Sequence, residues 1–176
     1  ATRAGAFRNI MPGFGAPPDG EVPAGFDYDM WLGPAPKRSF NPKRGIYHFR
    51  WFWDYSGGQM TNLGQHSFDI AYWFLGLKGP RAVTSFGGRW GLNDLGETPD
   101  IQEALWEFPD EKVVMTWTCR ETCRGDGAPG LSFYGSRGSL SIGRSGFQTD
   151  ADEVIPPENT VPQFASGQPA GGVNRI

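Results

Sequence analysis

One stretch of the chain, RWFWDYSGGQMTNLGQHSFDIAYWFLG from Arg50 to Gly76, constrains the fold more than any other. It places Asn62, His66, Asp69 and Trp73 at steps of four, three and four residues. At about 100° per residue on a helix, these positions fall within a stripe roughly 60° wide. The opposite arc is apolar and comprises Met60, Leu63, Phe68, Ile70, Ala71, Phe74 and Leu75.

The pattern therefore predicts an amphipathic helix from about Gly58 to Leu75. Ser56 is placed to cap its start, and Gly76 stands where a C-terminal glycine is expected. Most of the helix surface would be buried, and the strip with an amide, an imidazole and a carboxylate would stay open for chemistry.

Composition narrows the class of protein. A chain of 176 residues favours one domain, and a net charge of -3 without a basic block gives no reason to expect nucleic-acid binding. No apolar run is long enough to cross a membrane. The start, ATRAGAFRNIM, lacks the apolar region of a signal peptide. This slightly favours the cytoplasm, while export stays open if a leader has been removed.

The first 45 residues carry most of the irregular signals. Prolines recur every few residues, which forbids long helices and central strands. We expect this segment to wrap over a surface, pinned by aromatic side chains at Phe14, Phe26, Trp31 and Phe40.

From residue 81 the hydrophobic period changes to two. The runs RAVTSFGGRWG, IQEALWEF and KVVMTWTCRE alternate, FPDEK marks a hairpin, and two short strands flank Ser136–Gly138. These signals predict an α+β fold with an open, mostly antiparallel meander and one or two helices on one face. We expect this domain over residues 1–155, followed by a Pro/Gly-rich tail or truncated continuation at 156–176.

His66 is the first candidate for a catalytic residue. Asn62 and Asp69 share its strip and could orient it, since a base needs a group that holds it in place. The residues alone leave a structural and a catalytic histidine equally open.

The segment RWFWDY has two interpretations as well. It can be a core strand with Trp51 and Trp53 on one face, or a ligand wall in which aromatic rings stack on sugars. In the second case Arg50 and Asp54 would bind hydroxyls, and Tyr55 would line the same pocket.

Other chemistry finds little support. Two histidines without clustered thiolates make a poor metal site, and none is predicted. Cys119 and Cys123 would lie about 13 Å apart on a strand, too far for a disulfide, so free thiols are expected. The glycine-rich stretches Gly13–Gly20 and Gly135–Gly143 lack the context of a phosphate loop.

Five segments together resemble the Gfo/Idh/MocA oxidoreductases, which use NAD or NADP to act mainly on sugars and cyclitols. They are DYDMWLGPAP, RWFWDYSGGQMTNLGQH, HSFDIAYW, GETPD and FYGSRGSLSI, in the family's order. The resemblance is to the C-terminal domain only. The N-terminal Rossmann domain, with its Gly-rich fingerprint and Glu-Lys-Pro motif, is absent from the sequence.

The resemblance implies roles for individual residues. His66 matches the family histidine that touches the substrate hydroxyl, and Asn62 stands where the family usually has Asp, which limits it to positioning substrate. Substrate contacts are expected from Asn62, Arg50, Trp53, Asp54 and Tyr55, with Asp69 behind them. No residue here is expected to hold the cofactor, which would bind mainly to a Rossmann domain in the same gene or another chain. The bare face of the sheet implies a homo-oligomer.

The residue patterns and the family resemblance leave three functions open. The chain is expected to be the substrate-binding half of an NAD(P)-dependent oxidoreductase for a sugar, cyclitol or related polyol, inactive alone. The alternative is a stand-alone carbohydrate-binding or assembly module. A third possibility is a lyase or hydrolase that uses His66 and Asp69 as an acid/base pair.

Overall fold

A computed structural model describes residues 1–7, 9–123, 130–143 and 146–150. The elements are, in chain order, β1 (Thr2–Phe7), α1 (Tyr28–Leu32), a 3₁₀ turn (His48–Trp51), a π-helical turn (Met60–Gly64), α2 (Gln65–Leu75), β2 (Ala82–Gly88), β3 (Ile101–Phe108), β4 (Val113–Arg120), β5 (Gly130–Gly135), β6 (Gly138–Gly143) and β7 (Gly146–Thr149).

The strands form one seven-stranded sheet in the order β2-β3-β4-β1-β5-β6-β7. All neighbours are antiparallel except β1 and β4, which run parallel. The predicted α+β fold with an open, mostly antiparallel sheet is therefore confirmed. The hairpin predicted at FPDEK joins β3 to β4, and Lys112 occupies its positive-φ position.

The prediction for the first 45 residues was wrong at their start. Thr2–Phe7 forms the central strand of the sheet, with Ala4 paired to Trp117 on one side and to Leu131 on the other. Its short, alternating TRAGAF pattern is too weak to reveal a strand whose partners lie more than a hundred residues away.

The rest of that segment wraps as expected. Its only helix in residues 9–45 is α1, five residues long, whose Met30 N–H is capped by the Asp27 carboxylate at 2.9 Å. Aromatic pairs hold the wrap, including Phe26 on Phe40 with ring centroids 6.1 Å apart.

The core lies between α2 and one face of the sheet. Small residues on the strands, Ala4, Ala6 and Ala104, allow close approach, and Trp117 fills the centre. Gly64 lies against the Trp117 ring, where an added Cβ would come within 3.3 Å. The missing side chain at Gly64 therefore favours the close approach of the helix to the sheet.

Buried charges fix the loop between β2 and β3. The Asp100 carboxylate accepts three backbone N–H bonds, from Trp90, Gly91 and Leu92, at 2.7 to 3.1 Å. Arg89 pairs with Asp94 at 2.5 Å, and both side chains are almost fully buried. These contacts hold the loop against Trp51, whose carbonyl oxygen accepts the Thr98 N–H.

No helix of the described residues is long and apolar enough to cross a membrane. Cys119 and Cys123 are free thiols, as predicted. Burial is the main cause that raises the pKa of the Cys119 thiol above its ordinary value.

Candidate active site

The predicted helix is present, and it begins with an unusual turn. Residues 58 onward are helical, and Met60–Gly64 form a π-helical turn before α2. Such a turn is wider than an α-helical one, so it alters which side chains share a face. Gly58, with φ of 73°, makes the entry, and Gly76, with φ of 62°, ends the helix as predicted.

The capping prediction was wrong. The π-helical turn begins at Gln59 and Met60 without a side-chain cap, and Ser56 is bonded to the Thr61 hydroxyl at 3.2 Å. Thr61 instead accepts the Gly57 N–H and donates to the Gly58 carbonyl. The Thr61 hydroxyl therefore connects the residues before the helix to its first turn.

The open strip is only partly as predicted. Asn62 is half-buried, and His66, Asp69 and Trp73 are exposed. Two members of the predicted buried arc, Ile70 and Phe74, are exposed as well. Within the sheet, α2 packs mainly on β1 and β5, so much of its surface stays uncovered.

A cavity of about 590 Å³ opens beside His66. It lies between α2 and the strands β1, β5 and β6, and its walls include Leu63, Ser67, Ile70, Leu131 and Ile142. His66 is the titratable side chain in this mostly apolar lining. The two ring nitrogens of an imidazole can donate and accept hydrogen bonds to a molecule in this cavity.

Asp54 and Tyr55 line a different cavity. Its volume is about 720 Å³, and Trp31 and Phe49 are among its walls. These two belong to the aromatic side chains of residues 14–55 that pack on one another, which we call the aromatic wrap. The Trp31 and Tyr55 rings meet nearly edge-on at 5.0 Å. Burial is the main cause that raises the pKa of Tyr55 to about 12, so its phenol stays protonated at neutral pH.

A charged cluster borders this second cavity. Arg38 lies 2.5 Å from the Asp54 carboxylate and 2.9 Å from that of Glu97. The bond to Glu97 is the main cause that raises the pKa of Arg38. Glu97 also accepts the Trp53 backbone N–H at 2.9 Å, which fixes the chain beside Asp54.

Four predicted residues line neither cavity, namely Asn62, Asp69, Arg50 and Trp53. Arg50 stacks over Tyr47 at 4.3 Å and over Trp51 at 5.3 Å. The Trp53 side chain is exposed. RWFWDY is no core strand, because His48–Trp51 form a 3₁₀ turn and only Trp51 of the two tryptophans is buried.

Sequence reasoning missed a buried hydrogen-bond chain next to Asn62, which we call the Glu121 relay. Asn62 Nδ2 donates to Gln59 Oε1 at 3.1 Å, and Gln59 Nε2 donates to Glu121 Oε1 at 2.6 Å. Trp51 Nε1 donates to the other carboxylate oxygen, Oε2, at 2.8 Å. Gln59 was visible within the GGQMTN motif, but no local pattern connects it to Glu121 at the end of β4.

The second histidine belongs to the aromatic wrap. His48 stacks on Phe14 with ring centroids 4.4 Å apart and lies 5.8 Å from the Trp51 ring. Burial, followed by the nearby charges of Lys43 and Arg50, lowers the pKa of His48.

Neither a metal nor a dinucleotide finds a site of its own in the described part of the chain. No group of three or more His, Cys, Asp or Glu side chains there could hold a metal ion. Gly13–Gly20 contains G-x-G, but turn and extended backbone follow it instead of the helix that a dinucleotide phosphate needs. The segment Gly13–Gly20 therefore does not fit the phosphates of NAD or NADP.

Part of the chain matches a known protein family. Residues 12–85, which include His66 and Asn62, match the model of the oxidoreductase family, C-terminal alpha/beta domain, of the Gfo/Idh/MocA proteins. The resemblance to that C-terminal domain is confirmed.

Among solved structures, the WlbA dehydrogenase from Bordetella pertussis, in complex with NADH and UDP-GlcNAcA, has a fold similar to that of this chain. The two align with a TM-score of 0.55 at 12% identity, over 90% of this chain and 40% of the dehydrogenase. The chain therefore spans less than half the length of that protein. No curated protein matches the chain.

Proposed function

We propose that this chain is the substrate-binding half of an NAD(P)-dependent oxidoreductase that acts on a sugar, cyclitol or related polyol. The observation that carries the proposal is the position of His66. It lies on the open side of a helix within the matched family segment, beside a cavity of about 590 Å³. An exposed imidazole beside a largely apolar cavity suits proton transfer to a bound hydroxyl.

In this proposal His66 takes or returns the proton of the reacting hydroxyl. Asn62, one helical turn earlier, positions the substrate through its side-chain amide. Asp69 is exposed, and among the described residues no hydrogen bond joins it to His66, so its supporting role rests on the family resemblance alone. Asp54 and Tyr55 would meet a more distant part of a substrate, since they line the second cavity. Arg50 and Trp53 stay predictions.

The cofactor would be held by a Rossmann domain outside this chain. Two facts support this: the family model describes a C-terminal domain, and the similar dehydrogenase was solved with NADH. The nicotinamide would supply the hydride chemistry, and this chain would hold the substrate and its proton. Alone, the chain is proposed to be inactive.

The test uses the full natural protein that contains this chain, with a panel of sugars and cyclitols and either NAD or NADP. We expect reduction of the cofactor, seen as absorbance at the nicotinamide band. His66→Ala should lower kcat/KM by about 10² or more, the usual size of a lost acid/base group. His48→Gln is the matched control, because it removes the other histidine from the aromatic wrap, and it should retain activity. Equal losses in the two variants would contradict the proposal.

A second candidate function is a stand-alone carbohydrate-binding or assembly module. The observation in its favour is the uncovered face of the sheet, where Phe86, Leu105, Val114 and Tyr134 are exposed. Apolar side chains on a bare sheet favour contact with another protein surface. Sedimentation equilibrium distinguishes the cases: an oligomer that Leu105→Lys dissociates supports assembly through this face, and a monomer at all concentrations excludes it.

A further inference from the structure

The Glu121 relay runs from the protein interior to the open side of the helix. Glu121, Gln59 and Trp51 are almost fully buried, at 0%, 2% and 2% exposure, and Asn62 is half-buried. Three hydrogen bonds connect the four side chains in a line. Asn62, one helical turn before His66, is the half-buried outer end of this line.

The chemistry of the inner end fixes the direction of every bond. The indole of Trp51 can only donate, and an ionised carboxylate can only accept. The Glu121 carboxylate therefore accepts a hydrogen bond from Nε2 of Gln59, as observed. Two N–H donors thus point at the two oxygens of the Glu121 carboxylate.

This direction is passed to Asn62. With its Nε2 turned inward, Gln59 can offer Asn62 only the carbonyl oxygen Oε1. Asn62 must then turn its own Nδ2 toward Gln59, which is the observed bond at 3.1 Å. The Oδ1 atom of Asn62 accepts no hydrogen bond from any described residue, and it is left for a ligand.

We propose that Glu121 is a positioning residue, which acts through Gln59 so that Asn62 presents a hydrogen-bond acceptor to the substrate. The proposal rests on the proposed function for its substrate, and it adds a specificity to it. A substrate group facing Asn62 must be a donor, such as a hydroxyl or an amide N–H. A carbonyl or an ether oxygen at that place would meet a second acceptor and be rejected. Asn62 thus keeps the accepting property of a carboxylate without its charge.

The direction of the relay can be tested without any ligand. Asn62→Asp places a carboxylate against the Oε1 atom of Gln59, two acceptors in contact. At pH 7 we expect the folding equilibrium constant to fall by about tenfold, and the pKa of the introduced carboxyl to be raised. Urea unfolding and carboxyl NMR titration measure the two effects.

Adding Glu121→Gln to the Asn62→Asp variant should reverse the donor and acceptor roles along the Glu121 relay. The new side chain must keep its oxygen toward Trp51, so its amide N–H₂ turns toward Gln59. Gln59 then flips and donates to the carboxylate at position 62. We expect the double variant to fold within about twofold of Glu121→Gln alone, the signature of coupling between side chains joined only through Gln59.

The matched control is Asn62→Asp with Glu103→Gln, which removes the same charge from a carboxylate bonded instead to Thr118 and Arg120. This pair should show no rescue. If the effects of Asn62→Asp and Glu121→Gln simply multiply, or if Glu103→Gln rescues equally, the relay is overturned, whatever the protein's activity.

The specificity is tested on the active full-length protein with single-position deoxyfluoro analogues of an accepted sugar, since fluorine cannot donate. We expect one position to show a loss in kcat/KM of about tenfold or more in the wild type, which Glu121→Gln removes. An unchanged pattern of analogue preferences would overturn the specificity. Absence of any sugar activity would instead contradict the proposed function and leave the unfolding result to decide the relay.

Discussion

The two ends of the helix formed by Gly58–Leu75 differ in what holds their side chains. At the N-terminal end, Gln59 is buried in the Glu121 relay, and Gly58 packs tightly on Thr98. At the C-terminal end, Trp73 is 90% exposed and Phe74 is 62% exposed. The first end is fixed by this chain alone, and the second presents apolar surface to its surroundings.

The two ends of the helix thus differ in rigidity and in the apolar surface that they expose. A side chain that is proposed to meet a small molecule at a set angle needs rigid support from behind, and the Glu121 relay gives Asn62 such support. Large exposed aromatic side chains gain little from water and are typical of surfaces that meet another protein body. Four sets of measurements compare the two ends, from the largest expected effect to the smallest.

Glu121→Ala should have the largest effect on stability. It leaves the Trp51 indole and the Gln59 amide buried without an acceptor, which costs about 3 kcal/mol in the free energy of unfolding. Urea denaturation measures this loss. A change below about 1 kcal/mol would show that water or another group replaces the carboxylate, and that the N-terminal end is less rigid than described.

Gly58→Ala should cost more than the same change at Gly76. Both glycines have positive φ, but a Cβ at Gly58 would come within 2.8 Å of Thr98, whereas nothing lies within 4 Å at Gly76. We expect losses of about 2 and about 1 kcal/mol, since both changes strain the backbone and only the first also clashes. Adding Thr98→Ala should recover some of the first loss. Equal losses at the two positions would contradict the tight packing.

Trp51→Phe and Trp73→Phe remove the same indole N–H from the two ends. At Trp51 the donor to Glu121 is lost, and we expect a cost of about 1.5 kcal/mol. At Trp73, which is exposed, the change should stay within about 0.5 kcal/mol. Denaturant unfolding of both variants measures the difference, and a larger effect at Trp73 would show that the exposed end is packed in solution.

The smallest effect concerns pH at the N-terminal side. The pKa of His48 is lowered in the folded chain, so the unfolded chain binds this proton more readily. The contribution of His48 is therefore fully present above its ordinary pKa of 6.5 and is lost as pH falls from there through the folded pKa. Unfolding curves between pH 5 and 8 should show this loss in the wild type and a smaller one in His48→Gln. The same slope in both would contradict the shift.

The sequence predicted those features that depend on local patterns. The period of two from residue 81 onward predicted the strands, and the apolar run before Gly76 predicted the helix and its end. His66 was predicted as a site residue because its spacing from Asn62 matches a motif of the family that the chain resembles, and its role stays a prediction. Each of these signals lies within a short window of residues, so it can be recognised without knowing the fold.

Other features depend on partners far along the chain. Glu121 meets Gln59 and Trp51 across 62 and 70 residues, and no spacing rule connects them. The separation of Asp54 and Tyr55 from His66 into two cavities depends on how the aromatic wrap lies, which Pro-rich sequence does not fix. Gly64, the last residue of the π-helical turn, packs on Trp117 of a distant strand, a contact that no local pattern reveals.

The central place of β1 has a consequence for how the sheet assembles. Thr2–Phe7 separates β2-β3-β4 from β5-β6-β7, and the Ala1 nitrogen donates to the Tyr134 carbonyl at 2.7 Å. Synthesis makes this strand before the other strands of the sheet, yet it must wait for both neighbours before it can pair. We therefore expect slow folding with a high contact order. Cleavage after Phe7 would not trim an edge: it would split the sheet into two halves, each with a freshly exposed border prone to aggregate.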